Sequence, residues 1–291
     1  MDITLRSPTP DDLSALAQLV FEAFATFHDR HHFPRDFAGP EMAVGLMQAW
    51  VNDPRVWGTV AIATDGRIIG CNFLDERNEV PGVGPVCVDP ASQGRGIGRR
   101  VMEAVLSRAR QIGARSVRLV QEPFNTVSMS LYASLGFEVK EPLALMQGRP
   151  AAQPAGGSQV RPMTADDLPG CAELCRRVHG FDRTGELRDA LSHFHPFVVE
   201  RGGKMTAYSA APGLWLMNHI VAEGEDDMRQ LLLGSAGQLG GEPISLLVPI
   251  RNAAMFRWCL EQKLRVVKPL TLMVQGDYSE PRGWWAPSVE Y

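Results

Sequence analysis

At 291 residues the chain is long for one domain and comfortable for two. Its 45% hydrophobic and 21% charged residues are an ordinary globular composition with enough apolar surface for a core, and a net charge of −4 argues against a general nucleic-acid binder, which would be basic. The opening "MDITLRSPTPDD" is charged, with no apolar signal core, and no apolar run approaches the roughly 18 residues that span a bilayer, so no membrane partner is expected.

In chain order, "LRSPTPDDLSALAQLV" from Leu5 places Thr9 as an N-cap ahead of Asp11 and Asp12, with apolar residues at helical spacing behind. The stretch "FHDRHHFPRDF", 27–37, then lies between the first two helices and offers His28, His31 and His32 as substrate contacts. No cysteine or paired carboxylate is spaced there to complete a metal site, so no metal is expected. Strands are predicted at "GTVAIATD", "RIIGCNFL" and "GPVCVD", the first two joined by a hairpin at Asp65-Gly66. A helix over about 96–112 gathers Ile97, Val101, Met102, Val105 and Leu106 on one face. Strand "SVRLVQ" follows, then a helix over about 125–135 ended by Gly136, then a strand pair after Phe137. Strands in runs with helices between them predict an α/β fold with a mixed sheet.

The chain then repeats itself. "VRPMTADDLPGCAELC" from Val160 matches the segment from Leu5, with Thr164, Asp166 and Asp167 as the new cap. "RLVQEPFN", ending at Asn125, matches "SLLVPIRN", ending at Asn252; "EPLALM" from Glu141 matches "KPLTLM" from Lys268 at the same offset. The Gly/Pro/Ala-rich "GRPAAQPAGGSQ" between the copies reads as a linker. We therefore expect two similarly built domains, 1–147 and 159–291, joined by residues 148–158. The five cysteines, at 71, 87, 171, 175 and 259, include no C-x-x-C; Cys171 and Cys175 stand four apart on a helix and read as packing, which fits a reducing cytoplasm.

The segment "VCVDPASQGRGIGRR", 86–100, joins a strand to a helix through Gly94, Gly96 and Gly98. A helix start has unsatisfied N–H groups and the positive end of the helix dipole, and glycines let an anion reach the backbone. Arg95, Arg99, Arg100, Arg108, Arg110, Arg115 and Arg118 accompany it, with Glu103 the one acid among them, so an anion site for a pyrophosphate is expected. A P-loop needs Gly-Lys-Ser/Thr where Gly98-Arg99-Arg100 stands, and a dinucleotide fingerprint from Gly94 needs glycine where Arg99 stands. Both fail.

The pattern Gln93-x-x-Gly96-x-Gly98 resembles the pyrophosphate loop of the GNAT superfamily of acyl-CoA-dependent N-acetyltransferases, and "NTVSMSLYASLGF" resembles its N-x-x-A-x-x-L-Y-x-x-x-G-F signature, with Ser128 for the alanine. The resemblance covers nearly the whole first copy. It implies a tandem of GNAT-like domains that takes acetyl-CoA as acyl donor and a primary amine of a small molecule or peptide as acceptor, by direct attack in a ternary complex. Strand residues Val86 to Val88 would pair with pantetheine. The N–H groups of Gly94, Arg95, Gly96, Ile97, Gly98 and Arg99, after Gln93, would cradle the pyrophosphate; Asn125 would contact the CoA arm. Tyr132 would protonate the leaving thiolate.

In many relatives a glutamate on the strand before the loop takes the amine's proton, but here Gly84 and Pro85 occupy that approach. Asp75, Glu76, Glu79 and Glu122 stand as candidates, with Glu79 and Glu122 carried forward. The missing strand glutamate also motivates an alternative, a non-catalytic acyl-CoA sensor. In the second copy the loop position carries Glu223, Glu225, Asp226 and Asp227 with no Gly-x-Gly, Cys259 replaces Tyr132, and Lys263-Leu264 replaces Gly136-Phe137. Acids there would repel a pyrophosphate, so this domain is expected to keep the fold without CoA. It would make the chain a monomer with an internal pseudo-dimer, or a homodimer. Tandem relatives that make mycothiol place CoA chemistry in the second domain, so their substrate is not carried over.

Overall fold

The computed structural model describes residues 2–150 and 159–291, so the expected linker lies outside the described residues from position 151 on. The chain packs as two compact units: Met1–Glu76, Pro81–Val117 and Phe124–Phe137 form the first, and Arg77–Val80, Arg118–Pro123 and Glu138–Tyr291 the second. This division departs from the 1–147 and 159–291 boundaries, for a reason that lies in the last strand of each copy.

The first unit opens with β1 (Ile3–Arg6), which pairs antiparallel with β2 (Val56–Ala63); β2 pairs in turn with β3 (Ile68–Asp75). The hairpin falls where Asp65-Gly66 predicts it, with Gly66 at φ +87°. Between β1 and β2 run α1 (Leu13–His31) and α2 (Pro40–Asn52). Leu16, Val20, Met47 and Trp50 of these helices pack on Val60, Cys71 and Phe73 of the sheet. The neighbouring Ala61 and Ala63 turn instead to Ile97 and Val101 of α3 (Ile97–Gln111), so successive strand residues serve different cores.

The entry to α1 is built as the sequence suggests. Thr9 donates to the Asp12 carboxylate through its N–H at 2.7 Å and its hydroxyl at 3.0 Å, while Arg6 grips both carboxylate oxygens at 2.6 and 2.8 Å. Those donors hold Asp12 down to about 2. The second copy repeats the device at α5 (Leu168–His179): Thr164 and Arg161 hold Asp167, also down to about 2.

The predicted strand pair after Phe137 is one long strand, β7 (Glu138–Gly148). Its partners come from the second copy: β12 (Ile244–Pro249) on one side and β13 (Arg265–Gly276) on the other, both antiparallel. β13 in turn lies between β7 and β6 (Ser116–Gln121). Leu143 faces Leu270, its own counterpart at the separation that relates Asn125 to Asn252, and Pro142 faces Thr271 as Ala144 faces Pro269. The two copies have exchanged their last strands about a local two-fold. Leu143 and Leu145 enter one core and Ala144 and Met146 the other, so β7 could not leave without opening both. The compact units therefore cut across the repeat.

The second sheet runs β14 (Trp284–Ala286), β11 (Ile220–Ala222), β10 (Lys204–Ser209), β9 (Phe197–Arg201), β8 (Gln159–Pro162). It is accompanied by α5, α6 (Thr184–His193), α7 (Glu225–Gln238) and α8 (Ala253–Glu261). Among the described residues no helix is long and apolar enough to cross a membrane.

Candidate active site

Strand β3 continues into two short partners, β4 (Gly82–Val83) and β5 (Cys87–Val88). Gly84 and Pro85 part them, and Pro85 has no N–H to give a ladder. Among the described strands β5 pairs with β3 alone, which leaves one edge of Cys87–Val88 open to an extended, amide-rich partner. Val86 and Val88 pack against the cluster of Ile69 and Ile97.

From β5 the chain turns at Asp89, whose carboxylate accepts from the Ala91 N–H and the Ser92 hydroxyl, and Gln93 donates back to the Val88 carbonyl at 3.3 Å. Gly94 and Gly96 sit at φ +75° and +79°, a region closed to most side chains, and both are exposed. Gly96 is also the N-cap of α3, and without a side chain it leaves the first-turn N–H groups to another acceptor. No acid occupies that first turn. Gly98 is already helical; a Cβ there would stand 3.4 Å from Leu131. The residues thus fit a diphosphate bound end-on to the helix.

The arginine cluster divides. Arg95 and Arg99 are exposed at the loop, and Arg99 also donates to Ser134 at 2.6 Å. Arg100 reaches the Ile3 carbonyl at 3.1 Å, and Arg108 binds Glu76 at 2.7 and 2.8 Å. Arg118 leaves the anion site altogether: it is buried, with its guanidinium 4.6 Å from the Phe181 ring centre and 4.7 Å from that of Tyr291. Its place on β6, not its distance in sequence from the loop, decides this.

Helix α4 (Thr126–Ser134) lies beside α3, as the Leu131 and Ser134 contacts show. Asn125 caps it, accepting from the Ser128 N–H at 3.1 Å. Tyr132 is buried on it, 6.1 Å from Phe137 between ring centres. Of the proton acceptors, Glu76 is taken by Arg108, and Asp75 is buried at the end of β3. Glu122 is buried and ion-paired with Lys268, itself buried beneath Trp215. Glu79 is exposed in a polar cleft with Arg77, Arg176 and Asp182.

The three histidines do not converge on one face. His28 is fully buried, its Nδ1 2.9 Å from the Phe24 carbonyl and its Nε2 3.6 Å from Asp36. His31 lies against Phe27 and Phe124, and His32 is the exposed left-handed cap of α1. What the sequence did not announce is an aromatic clasp: Phe124 stacks between Phe27, with ring centres 5.3 Å apart, and Phe33, at 4.3 Å. It fastens the helix-linking segment to the residue before Asn125. A cluster of Cys175, His179 and His219 in the second unit also escaped notice, though "CRRVH" does put a thiol and an imidazole one helical turn apart.

An open strand edge, a glycine-capped helix start and a tyrosine-bearing helix beside it thus lie together in the first unit. Residues 17–137 match the Acetyltransferase (GNAT) family. An uncharacterized N-acetyltransferase of Methanocaldococcus jannaschii is 28% identical over 145 residues, 47% of this chain and 62% of that protein. The mycothiol acetyltransferase of Nocardia farcinica is 33% identical over 101 residues, 33% of each. The chain thus spans less than two thirds of the length of these curated relatives. A structure from Pyrococcus horikoshii superposes with TM-score 0.74 at 18% identity, covering 97% of this chain and 94% of its own. A tandem GNAT protein from the clavulanic acid biosynthesis pathway does so with 0.59 at 13%, covering 96% and 100%. At such identities the likeness establishes the fold, a mixed α/β tandem.

Proposed function

We propose that the first copy transfers an acetyl group from acetyl-CoA to a primary amine of a small molecule or peptide, by direct attack in a ternary complex. The observation that carries this reading is the bare, glycine-capped start of α3, set beside the helix that bears Tyr132. Bound there, acetyl-CoA supplies an activated acyl group. The amides of Gly94 to Arg99 hold its diphosphate, and the free edge of Cys87–Val88 aligns the pantetheine. The hydroxyl of Tyr132 gives its proton to the departing sulfur, so that a thiol leaves in place of a thiolate. The clasp of Phe27, Phe33 and Phe124 forms the apolar wall on the acceptor side, with His31 at its edge as the polar contact.

The test is Tyr132→Phe, which keeps the buried ring. Turnover is expected to fall about 100-fold with acetyl-CoA affinity within about twofold; unchanged turnover would return this tyrosine to packing. Glu79 and Glu122 enter as proton acceptors, and Glu79→Gln and Glu122→Gln separate them, since the working base alone loses turnover. Tight acetyl-CoA binding with no amine in a broad panel accelerating thiol release would make the chain a sensor instead.

A further inference from the structure

The second unit holds a group of donor atoms that the acyl-transfer reading does not use. Cys175 and His179 stand one turn apart on α5 and so share a face, and His219, just before β11, meets them from the sheet. The three ligand atoms lie within 4.8 Å of one another, and all three residues are buried. The Cys175 sulfur is 4.0 Å from His219 Nε2. Bonds of about 2.3 Å to sulfur and 2.0–2.1 Å to nitrogen at tetrahedral angles set that separation at about 3.6 Å, so this pair closes on an ion with a shift of a few tenths of an ångström.

The hydrogen bonding here is incomplete in a way that an ion would complete. His179 Nε2 is buried with no hydrogen-bond partner, while its Nδ1 lies 2.8 Å from the Tyr291 hydroxyl, the outer contact that orients a ligating imidazole. The Tyr208 hydroxyl, buried beside the Cys175 thiol and interacting with it, stands as a fourth donor. The buried charge nearby is Arg183, which is answered by Glu186 in an ion pair.

We propose that Cys175, His179 and His219, with the Tyr208 hydroxyl, form a buried structural zinc site in the second copy. On binding, the Cys175 thiol releases its proton to solvent and its sulfur bonds the metal; nothing is oxidised or reduced. A soft thiolate with two imidazoles suits zinc over calcium or magnesium, and full burial leaves no open position for a substrate. The metal enters as the chain folds, so the site stabilises the copy that no longer binds a nucleotide.

The experiment uses the full chain expressed in medium supplemented with zinc or with cobalt. About one zinc per chain is expected by elemental analysis. Cobalt in its place is expected to give a thiolate-to-metal charge-transfer band in the near ultraviolet, lost in Cys175→Ser and kept in Cys171→Ser, whose thiol is one turn away and outside the cluster. Zinc below about a tenth per chain, or a cobalt band that survives Cys175→Ser, overturns the proposal. If Cys175→Ser does not fold, the wild type decides: material expressed under zinc depletion with chelator should melt about 5 °C or more below the zinc-grown protein, and equal melting overturns the site.

Discussion

In the first copy the chain takes Asp89 to Gly96 to pass from β5 to α3; in the second, Glu223 and Gly224 suffice between β11 and α7. The first helix start is free of acids, while the second carries Glu225, Asp226 and Asp227, and Asp227 is bound by Arg201 and Thr206. The strand edges differ as well. β5 pairs with β3 alone among the described strands, whereas β11 has β10 on one side and β14 on the other, with Val221 opposite Trp285. The place where pantetheine would lie is therefore occupied in the second copy by the chain's own Trp284–Ala286. Copies that share caps and exchanged strands thus differ at the loop and the edge on which the proposed binding rests.

The largest effect should come from giving the first copy the second copy's acid. Gly96→Glu forces a side chain into a left-handed position and sets a negative charge against the diphosphate. Losing one or two charged-acceptor hydrogen bonds at roughly 1.5–3 kcal/mol each predicts acetyl-CoA binding weaker by about 100-fold or more in calorimetry. Asp226→Asn should change nothing, and the wild type should bind a single acetyl-CoA per chain. A second equivalent would mean that β14 does not close its edge.

Asp12 and Asp167 are both depressed from the ordinary carboxylate value to about 2, by Arg6 and Arg161 respectively. A depressed carboxylate contributes stability that is present above its unfolded pKa and is lost as pH falls, here between about pH 4 and pH 2. With Arg6 42% exposed, solvent screening trims each contribution to about 1–2 kcal/mol. Asp12→Asn and Asp167→Asn should each lose that amount in urea unfolding at neutral pH and flatten the acid limb of the melting curve alike. Unequal losses would mean that one copy has shifted its stability elsewhere.

Much of this was legible in the sequence because the signals are local. The caps at Thr9 and Thr164, the Asp65-Gly66 hairpin and the helix after Gly96 each depend on neighbours a few residues away. The strand exchange was not legible: "EPLALM" and "KPLTLM" reveal a repeat but not that β7 and β13 pair with each other, since either pairing buries the same alternating residues. Arg118 was misplaced because a charge in a strand does not say which face it takes, and its aromatic partners Phe181 and Tyr291 are far along the chain. The cluster around His219 and the clasp on Phe124 were missed for the same reason. Glu122 was readable as a carboxylate near the site, but not as the partner of Lys268.

The smallest effects separate structure from binding within one motif. Asn125 and Asn252 cap α4 and α8 through the same bond, each 3.1 Å long. Alanine at either should cost about 1 kcal/mol of stability, while Asn125→Ala alone should also raise the KM for acetyl-CoA. Equal kinetics would reduce Asn125 to a cap. The far ends of these helices carry a finer difference. Phe137 N–H reaches the Tyr132 carbonyl at 3.0 Å around Gly136 at φ +92°, and Leu264 N–H reaches the Cys259 carbonyl at 3.0 Å around Lys263 at φ +71°. The second copy has kept the turn but lost the glycine that makes it free of strain. Lys263→Gly should therefore gain about 0.5–1 kcal/mol, the left-handed penalty less glycine's greater unfolded freedom, and raise the melting temperature by about 1–3 °C. A loss instead would show that the lysine side chain has acquired a role of its own at the end of α8.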